Sequence, residues 1–449
     1  MTPHDAHGLD VDAALATMTL EEKASLCLGS DFWHTAAVER VGVPSVMLAD
    51  GPHGLRKQPE GGDHVGLGGS VPATCFPTAA ALGSSWDADL VRRVGEALGR
   101  ETRAERVSVL LGPGINIKRS PLCGRNFEYL SEDPLLSGAL GAAMVAGVQS
   151  QGVGASLKHY AANNQETDRL RVSADVDERP LREIYLAGFE HVVTRAQPWT
   201  VMCAYNRVNG TYASQHRWLL TEVLREEWGF RGLVVSDWGA VADRVAALSA
   251  GLDLEMPPNL GVSDAALVAA VRSGELDEAA LDTAVRRVLE LVARAQPALA
   301  DPGEVDVEAH HELARQAARE SAVLLKNEGS ALPLSLGTGQ TLAVVGEMAR
   351  TPRYQGAGSS QVVPTRLDAA LHQLEALVPD GVTVRFAPGY GLGSAEPDDA
   401  LVAEAVQAVR GADAVVVLLG LPAEEESEGF DRTHMDLPDD QTALLAAVA

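Results

Sequence analysis

The sequence predicts an α/β protein in which residues 1–300 form a barrel and residues 321–449 form a second α/β unit. Short apolar runs end in polar or glycine-containing corners, and an amphipathic segment follows each run. Near-continuous apolar strands are typical of parallel sheets that are covered on both faces. Alternation of such strands with helices over roughly 300 residues favours a (β/α)8-type TIM barrel, with a doubly wound sheet as the alternative.

The predicted barrel strands are the apolar runs that lead into these corners. In chain order they are Ser45–Ala49, Val107–Leu111, Gly154–Leu157, Thr200–Ala204, Leu233–Val235 and Gly251–Leu254. Polar residues follow the runs directly. Barrel enzymes carry their catalytic groups at the carboxyl ends of the strands, so an active site is expected there.

Helix and linker signals complete the outline. Thr19–Glu22 is a capping box, which predicts the start of a helix. Proline, glycine and acidic residues in Ala295–Val307 indicate a linker, and residues 301–320 are expected to hold that linker and a connecting helix. The strands Leu342–Val345 and Ala414–Leu419 are so few that the second unit is expected to be incomplete, or to be completed by another segment.

The composition restricts the class of partner. The 449 residues carry a formal net charge of −26. Such a chain repels phosphate backbones and anionic membranes, so neither nucleic acid nor a membrane is an expected partner. A neutral small molecule fits this charge better, and acidity also favours solubility. The four cysteines are scattered without a Cys-x-x-Cys pair, so neither a disulfide framework nor a zinc site is expected.

The expected location is cytoplasmic. The first ten residues, MTPHDAHGLD, lack a basic region followed by an apolar run, so no signal peptide is expected. Stretches of about 18 apolar residues, which would predict a membrane span, do not occur in the sequence.

Asp237 is the first candidate catalytic residue. It ends the apolar run of VVSDWGA and precedes Trp238. Carboxylates serve glycoside cleavage as nucleophile or acid, and aromatic faces stack on sugar rings. An aspartate that caps the next helix is an equally good interpretation of this spacing.

Lys158 and His159 follow the candidate strand Gly154–Leu157, in ASLKHYAANNQE. Adjacent basic donors at a strand end can bind sugar hydroxyls or a phosphate, although a lone histidine is more often structural. Glu166 and Asp168 lie further into the loop. They are possible acids, but solvated contacts are the better expectation for both.

Arg125 and Asp50 are candidates for binding neighbouring hydroxyls. Arg125 lies in PLCGRNFEYLSEDP, where a guanidinium can hold vicinal oxygens or pair with a nearby acid such as Glu128. Asp50 ends the first strand in ADGPHGLR, where its carboxylate can accept bonds from two hydroxyls or simply form a turn.

Glu428 is a candidate general acid in the second unit. It lies in the acidic loop GLPAEEESEGFDR, after the strand Ala414–Leu419. If this loop folds over the barrel mouth, it can supply an acid. A plain solvated loop is the alternative, and Glu424, Glu425 and Glu426 are rival acids.

Motifs for nucleotide and metal chemistry are absent from the sequence. It contains no phosphate loop, no Gly-x-Gly-x-x-Gly after a strand, no His-Glu-x-x-His and no Gly-x-Ser-x-Gly. His310 and His311 are adjacent in a predicted helix and point to different faces, which makes a poor metal site.

Several segments together resemble glycoside hydrolase family 3, and the resemblance covers nearly the whole chain. In the family's order and rough spacing, they are MTLEEKASL, ADGPHGLR, LGPGINIKRSPLCGRNFEYLSEDP, SLKHYAANNQE, VMCAYNRVNG, VVSDWGA, SAVLLKNEGSALPL and SEGFDR. The resemblance implies a barrel followed by an α/β sandwich domain, with the site between them.

The resemblance also implies roles for individual residues. The aspartate of the SDW motif, Asp237, would be the nucleophile, and the glutamate of SEGFDR, Glu428, would be the acid/base. The residues implied to bind the sugar are Asp50, Arg125, Lys158, His159 and Tyr205, with Trp238 beside them.

The implied activity is that of a retaining exo-β-glucosidase acting on β-glycosides or oligosaccharides without a metal or cofactor. Two carboxyl groups about 5–5.5 Å apart give retention through a covalent glycosyl-enzyme. A β-xylosidase or another glycosidase of the family is the alternative, as is a non-catalytic sugar-binding relative. An N-acetylglucosaminidase is disfavoured because its typical KHFPGHG is replaced by KHYAANNQE.

Two departures from the family pattern concern the second unit. Similar chains usually continue past DLPDDQTALL to finish the sandwich and add a fibronectin-type-III-like domain, so a truncated chain is expected. The segment between Gly389 and Ala414 is short, so an inserted sugar-binding domain is not expected. A homo-oligomer is among the partners that the sequence leaves open.

Overall fold

The computed structural model describes residues 8–59, 69–393 and 396–449. The α-helices are α1 Val11–Thr17, α2 Leu20–Leu26, α3 Ala79–Ser85, α4 Ala88–Ala104, α5 Pro134–Gln149, α6 Glu178–Pro180, α7 Ala187–Ala196, α8 Arg244–Ala250, α9 Val262–Ser273, α10 Glu278–Ala300, α11 Val307–Glu320, α12 Ala370–Leu377, α13 Asp399–Val409 and α14 Asp439–Val448. Helices with π geometry span Leu181–Leu186 and Trp218–Glu227.

The strands of the described chain are short. They are β1 Leu48–Asp50, β2 Pro72–Ala73, β3 Val109–Leu111, β4 Gly154–Tyr160, β5 Ser173–Ala174, β6 Thr200–Cys203, β7 Arg207–Val208, β8 Thr211–Tyr212, β9 Leu233–Val235, β10 Thr341–Val345, β11 Val363–Pro364, β12 Thr383–Ala387 and β13 Ala414–Val417. Every residue of β1, β3, β4, β6 and β9 is buried, as the apolar runs predict.

These five strands form one parallel sheet in the order β1-β3-β4-β6-β9. Isolated bridges extend the sheet from Val235 to Leu254 and from Glu255 to Leu28, both in parallel. The return to β1 runs through antiparallel bridges at Gly29 and at His34, which pairs with Met47. The strands and bridges thus follow a closed ring, consistent with a barrel, but a reversed segment near His34 departs from a regular (β/α)8 pattern.

The predicted strand Gly251–Leu254 is reduced to a bridge. Leu254 pairs with Val235, and no strand is assigned at this position in the described chain. Asp253 lies just before this bridge, and its carboxylate is occupied by bonds that cross between elements. The other predicted runs coincide with β1, β3, β4, β6 and β9 to within a few residues.

The capping box predicted at Thr19–Glu22 is confirmed. The Thr19 hydroxyl accepts a bond from the Glu22 amide, and the Glu22 carboxylate accepts one from the Thr19 amide at 2.8 Å, so α2 begins at the predicted capping box. The predicted linker is shorter than expected. α10 continues through Pro297 to Ala300, and α11 begins at Val307.

α11 connects the two units through its adjacent histidines. His310 Nδ1 lies 2.6 Å from a carboxylate oxygen of Glu101 in α4, and His311 Nε2 lies 3.1 Å from Asp368 in the second unit. Neighbouring helix positions point about 100° apart, so one turn of α11 holds both units. The exact domain boundaries remain a prediction.

The second unit contains a small parallel sheet in the order β12-β10-β13. Two apolar clusters cover its faces. One contains Val345, Ala387 and Leu444, and the other contains Leu342 and Val344. The two-unit α/β architecture with parallel sheets is therefore as predicted.

The units share a strand pair as well as α11. β11 of the second unit pairs in parallel with β2 of the barrel unit, with Val363 opposite Pro72. This pairing holds the segment that follows Gly358 against the barrel loops. Within the part of the chain that the structure describes, no helix has the length and apolar character needed to cross a membrane.

Removal of the Asp253 carboxylate should destabilise the barrel strongly. Asp253 is 1% exposed, and it accepts bonds from Arg225 at 2.7 Å, Arg287 at 2.8 Å and the Val234 amide at 2.7 Å. We expect Asp253→Ala to lower the free energy of unfolding by about 3–5 kcal/mol, since it leaves buried donors unpaired. Urea denaturation measures this change.

The matched control is Asp12→Ala, which breaks the surface pair with Arg286 at 2.8 Å. An exposed pair of this kind contributes about 0–1 kcal/mol. Equal effects of the two substitutions would contradict the structural role assigned to Asp253.

Candidate active site

A cavity of about 750 Å³ opens at the carboxyl ends of the barrel strands, between the two units. The barrel unit contributes Phe32, Trp33, Asp50, Arg56, Gly69, Ser70, Arg125, Lys158, His159, Arg169, Met202, Tyr205, Asp237 and Trp238. The second unit contributes Gln355, Gly358, Ser359, Gln361, Val362, Val363 and Glu428. All eight site residues predicted from the sequence therefore line one cavity.

Asp237 lies two residues after β9 and is 7% exposed. Its Oδ1 accepts a bond from the Trp238 amide at 2.8 Å, and its Oδ2 lies 3.8 Å from His159 Nε2. The alternative that Asp237 caps the next helix is wrong, because α8 begins at Arg244 and Asp243 caps it. Burial raises the pKa of the Asp237 carboxyl, although Arg125 and Arg169 oppose the shift.

A buried network of opposite charges forms the floor of the cavity. Arg125 and Lys158 are almost fully buried, and both contact Glu128. A carboxylate oxygen of Glu128 lies 2.6 Å from an Arg125 nitrogen, and the other lies 3.0 Å from Lys158 Nζ. Arg125 is thus ion-paired with Glu128, as one interpretation predicted, and it also lines the cavity, as the other interpretation required.

His159 is held in the neutral form beside Asp237. Burial lowers the pKa of its imidazole well below the usual range, and the positive charges of Arg125 and Lys158 act in the same direction. Its backbone amide and carbonyl are both bonded to the Asn116 side chain, at 2.8 and 2.9 Å. The Tyr129 hydroxyl lies 3.3 Å from Nδ1.

Aromatic side chains form one wall of the cavity. The Trp238 indole donates to the Phe32 carbonyl at 2.8 Å, and its ring lies 5.6 Å from that of Trp33. The Tyr205 hydroxyl donates to the Trp238 carbonyl at 2.9 Å, and the Arg169 guanidinium lies 4.8 Å from the Tyr205 ring centroid. These contacts fix the orientation of Trp238 and Tyr205.

Asp50 lies at the end of β1 with its carboxylate 3.4 Å from an Arg56 nitrogen. It is 7% exposed. Burial raises the pKa of this carboxyl to about 6, while the charges of Lys158 and Arg56 limit the rise. The turn interpretation of Asp50 is incomplete, because its carboxylate also faces the cavity.

Glu428 reaches the cavity on the loop that follows β13. One carboxylate oxygen lies 2.8 Å from Arg169 and 3.8 Å from Arg125, and the other accepts a bond from the Ser359 amide at 2.7 Å. Burial alone would raise the pKa of this carboxyl, but the two guanidinium groups and the Ser359 amide bring it well below the usual range.

The rival acids lie elsewhere. Glu426 pairs with Arg353 at 3.0 Å, Glu424 is exposed, and none of Glu424, Glu425 and Glu426 lines the described cavity. The expectation of a plain solvated loop is therefore wrong for Glu428. Across the described residues, no group of three or more histidine, cysteine, aspartate or glutamate side chains could hold a metal ion.

Two family profiles match most of the chain. Residues 31–291 match "Glycosyl hydrolase family 3 N terminal domain", and residues 322–449 match "Glycosyl hydrolase family 3 C-terminal domain". The chain belongs to glycosyl hydrolase family 3. The matched segments contain all the cavity residues predicted from the sequence, in both units.

Individual relatives agree with this assignment. The chain is 56% identical to "Thermostable beta-glucosidase B" of Acetivibrio thermocellus, over 98% of this chain and 58% of the relative. It is 54% identical to "Exo-alpha-(1->6)-L-arabinopyranosidase" of Bifidobacterium longum, over 96% of this chain and 58% of the relative. The chain therefore spans less than two thirds of the length of these family 3 proteins.

Solved structures of the family share the fold. The Bifidobacterium adolescentis GH3 beta-glucosidase has a TM-score of 0.90 and 54% identity, with 97% of this chain and 62% of that chain covered. Beta-glucosidase 3B from Thermotoga neapolitana, in complex with alpha-D-glucose, has a TM-score of 0.87 and 36% identity, over 98% of this chain and 66% of that chain.

Several cavity residues of this family 3 chain escaped the sequence analysis. Arg56 ends the motif ADGPHGLR but was given no role, Arg169 lies three residues beyond SLKHYAANNQE, and Ser359 carries no motif signal. Glu166 was expected to be solvated, but its side chain is fully buried and bonded to Arg169 at 2.8 Å and to the Gly429 amide at 2.9 Å. Asp168 is exposed, as expected.

The loop 53–70 lies partly outside the described residues. We expect this loop to help form the site beyond the terminal sugar, and its residues 60–68 are not described. Gly69 and Ser70, at its end, line the cavity.

Opposite pH effects on stability should distinguish Asp50 from Glu428. The Asp50 pKa rises from 3.8 to about 6 on folding, so ionisation of Asp50 lowers stability as pH rises through that window. Asp50→Asn should therefore raise the free energy of unfolding by about 1–3 kcal/mol at pH 7 and by almost nothing near pH 4.

Glu428→Gln should have the opposite sign. The pKa of the Glu428 carboxyl is lower in the folded state than its unfolded value of 4.5, so the ionised carboxylate stabilises the fold above pH 4.5. This stabilisation is lost as the pH falls through the folded-state pKa. Urea unfolding of both variants at pH 4 and pH 7 measures the difference. Equal signs at pH 7 would show that the two carboxylates do not have the opposite environments described.

Proposed function

We propose that this chain carries the catalytic site of a retaining exo-β-glycosidase that hydrolyses terminal non-reducing β-D-glucosyl residues. The observation that carries the proposal is the meeting of Asp237 and Glu428, from two different units, in one cavity with buried cations and aromatic rings. Family membership and the beta-glucosidase relatives support it. Small-molecule β-glycosides or oligosaccharides are the proposed partners.

In this proposal Asp237 attacks the anomeric carbon and forms a covalent glycosyl-enzyme. The cations around it support the role, because Arg125 and Arg169 stabilise its charged form against burial. His159 Nε2 lies 3.8 Å from an Asp237 carboxylate oxygen. Because the imidazole is neutral, it can donate a hydrogen bond to the nucleophile without adding a positive charge beside it. Water then releases the sugar with its original anomeric configuration.

Glu428 is the proposed general acid in the first step and general base in the second. Its bonds to Arg169 and the Ser359 amide favour the carboxylate, which is the form needed to deprotonate water. Protonation for the first step requires that these bonds weaken. Sugar hydroxyls that compete for Arg169 and Arg125 would have this effect when substrate enters the cavity.

The sugar hydroxyls are proposed to bind the polar floor of the cavity. Asp50 can accept two bonds from neighbouring hydroxyls, while Arg125, Lys158 and His159 donate. Tyr205 and Trp238 cover the remaining side, where an aromatic face packs on the ring carbons of a sugar. Because Asp50 has a pKa near 6, we expect weaker sugar binding below that pH.

An exo-α-L-arabinopyranosidase is the second candidate. The 54% identity to the Bifidobacterium longum enzyme is close to the 56% identity to the beta-glucosidase of Acetivibrio thermocellus. An α-L-arabinopyranoside presents an equatorial glycosidic bond, as a β-D-glucoside does, but lacks the hydroxymethyl group. A β-xylosidase, proposed from the sequence as an alternative, also lacks this group. The two carboxylates can serve all three sugars.

A panel of nitrophenyl glycosides should decide the sugar. We expect the highest kcat/KM on the β-D-glucoside, with lower values on the α-L-arabinopyranoside and β-D-xyloside. A higher value on either pentoside would transfer the assignment to that sugar. A folded protein inactive on every member would contradict the enzymatic proposal.

Asp237→Ala should abolish turnover while the cavity still binds sugar. We expect kcat to fall by more than about a thousandfold, since the covalent step has no nucleophile. Mass spectrometry of the wild-type protein after reaction with a 2-fluoro-glycosyl fluoride should show the sugar attached to Asp237. Attachment to another carboxylate would refute the role.

Glu428→Ala should lower the rate by about 10²–10⁴-fold and respond to azide. Azide attacks the glycosyl-enzyme without a base, so it should restore turnover of an activated aryl glycoside and give a glycosyl azide with retained configuration. Alanine variants of Glu424, Glu425 and Glu426 are the matched controls. Rescue of one of these variants, but not of Glu428→Ala, would move the acid/base role to that residue.

A further inference from the structure

The segment 427–432, which carries Glu428, belongs to the second unit, yet it makes more hydrogen bonds to the barrel unit than to its own unit. Asp431, three residues after Glu428, accepts three backbone amide bonds from the barrel unit. Its Oδ1 accepts from Gly124 at 3.1 Å and from Glu166 at 2.9 Å, and its Oδ2 accepts from Thr167 at 2.9 Å. One carboxylate thereby joins the loop after β3 and the loop after β4.

A second set of bonds runs in the opposite direction. The Glu166 carboxylate of the barrel unit accepts the Gly429 amide at 2.9 Å and also binds Arg169 at 2.8 Å. Arg169 in turn binds Glu428 at 2.8 Å. Glu428 and two residues that follow it, Gly429 and Asp431, are thus attached to the segment 166–169, which fixes where the Glu428 side chain can lie.

The close approach of the two loops depends on a glycine. A Cβ atom at Gly124 would collide with the carbonyl oxygens of Ser427 and Phe430. The Arg432 amide also donates to the Leu122 carbonyl at 2.8 Å. The segment 427–432 therefore lies directly on the barrel loop that contains Arg125, one residue after Gly124.

Asp431 does not itself reach the catalytic cavity. It lines a neighbouring cavity of about 580 Å³, together with residues such as Asn163, Asn206 and Arg432. Burial alone would raise the pKa of its carboxyl, but the amides of Thr167, Glu166 and Gly124 hold that pKa below the usual value. Asp431 therefore stays charged at neutral pH. Because it lines the neighbouring cavity and not the catalytic one, it can affect the substrate only through the residues that it contacts.

We propose that Asp431 is a positioning residue that fixes the general acid Glu428 over Asp237 by attaching its loop to two barrel loops. This inference rests on the proposed function. It differs from simple docking of the two units, because the pairing of β11 with β2 and the contacts of α11 hold the units together without Asp431.

Aryl glycosides with different leaving groups test this role. A phenyl glycoside needs protonation of its leaving oxygen, whereas 2,4-dinitrophenolate leaves without an acid. If Asp431 positions Glu428, Asp431→Asn should lower kcat/KM for the phenyl glycoside by about 30- to 100-fold, part of the usual contribution of a general acid. The value for the dinitrophenyl glycoside should change by no more than about threefold, because acid assistance is not required.

The two substitutions at this position should form a graded series. Asp431→Asn keeps one acceptor for Gly124 and Glu166, but its amide group would face the Thr167 amide, donor to donor. Asp431→Ala removes all three bonds and should show the larger leaving-group dependence. If the alanine variant fails to fold, the asparagine variant still provides the test.

Asp436→Asn is the matched control. Asp436 lies in the same loop region with its side chain 88% exposed, and its carboxylate lies 3.8 Å from His434 Nδ1. The same change of charge there should leave both substrates unaffected. Thermal unfolding of each variant, measured alongside, identifies any loss of folded protein.

The possible outcomes separate the two proposals. An equal fall in kcat/KM for both leaving groups in Asp431→Asn, or no fall for either, would overturn the positioning role while wild-type activity upholds the proposed function. A folded wild-type protein inactive on every glycoside of the panel would overturn the proposed function and, with it, the role of Asp431. The substrate series uses whichever sugar the wild-type protein prefers.

Discussion

Compensation of buried charge is the constraint on which the site depends. Glu128 is almost inaccessible, and its single carboxylate forms ion pairs with both Arg125 and Lys158. A buried cation without such a partner costs several kcal/mol, so the floor of the cavity is stable only as a complete network. Arg125 then extends the network towards Glu428, at 3.8 Å, and so towards the second unit.

The same electrostatics gives the carboxylates of the cavity different properties. Asp50 has one cation at contact distance, at 3.4 Å, and burial raises its pKa to about 6. Glu428 has Arg169 at 2.8 Å together with a backbone amide, and its pKa is lowered. Chemically similar groups in one cavity therefore titrate in different pH ranges, because their partners differ in number and distance, and they differ in charge in mildly acidic solution.

Much of the fold and of the site was predictable from sequence, for identifiable reasons. Buried parallel strands appear as apolar runs, and the residue at each carboxyl end is then placed by the topology, as for Asp50 and Asp237. Contacts made by loop residues were not predictable. Glu166 was expected to be solvated, because nothing in its local sequence announces the Arg169 and Gly429 partners that bury it.

The sequence by itself determined the family, the two α/β units and the eight cavity residues first named, because local patterns and ordered motifs carry that information. The tertiary structure decided which interpretation of each residue applies. Asp243, and not Asp237, caps the next helix, and Glu428 approaches the barrel mouth through Asp431 and Glu166. These contacts join residues about 260 positions apart, and only the folded chain brings such distant residues together.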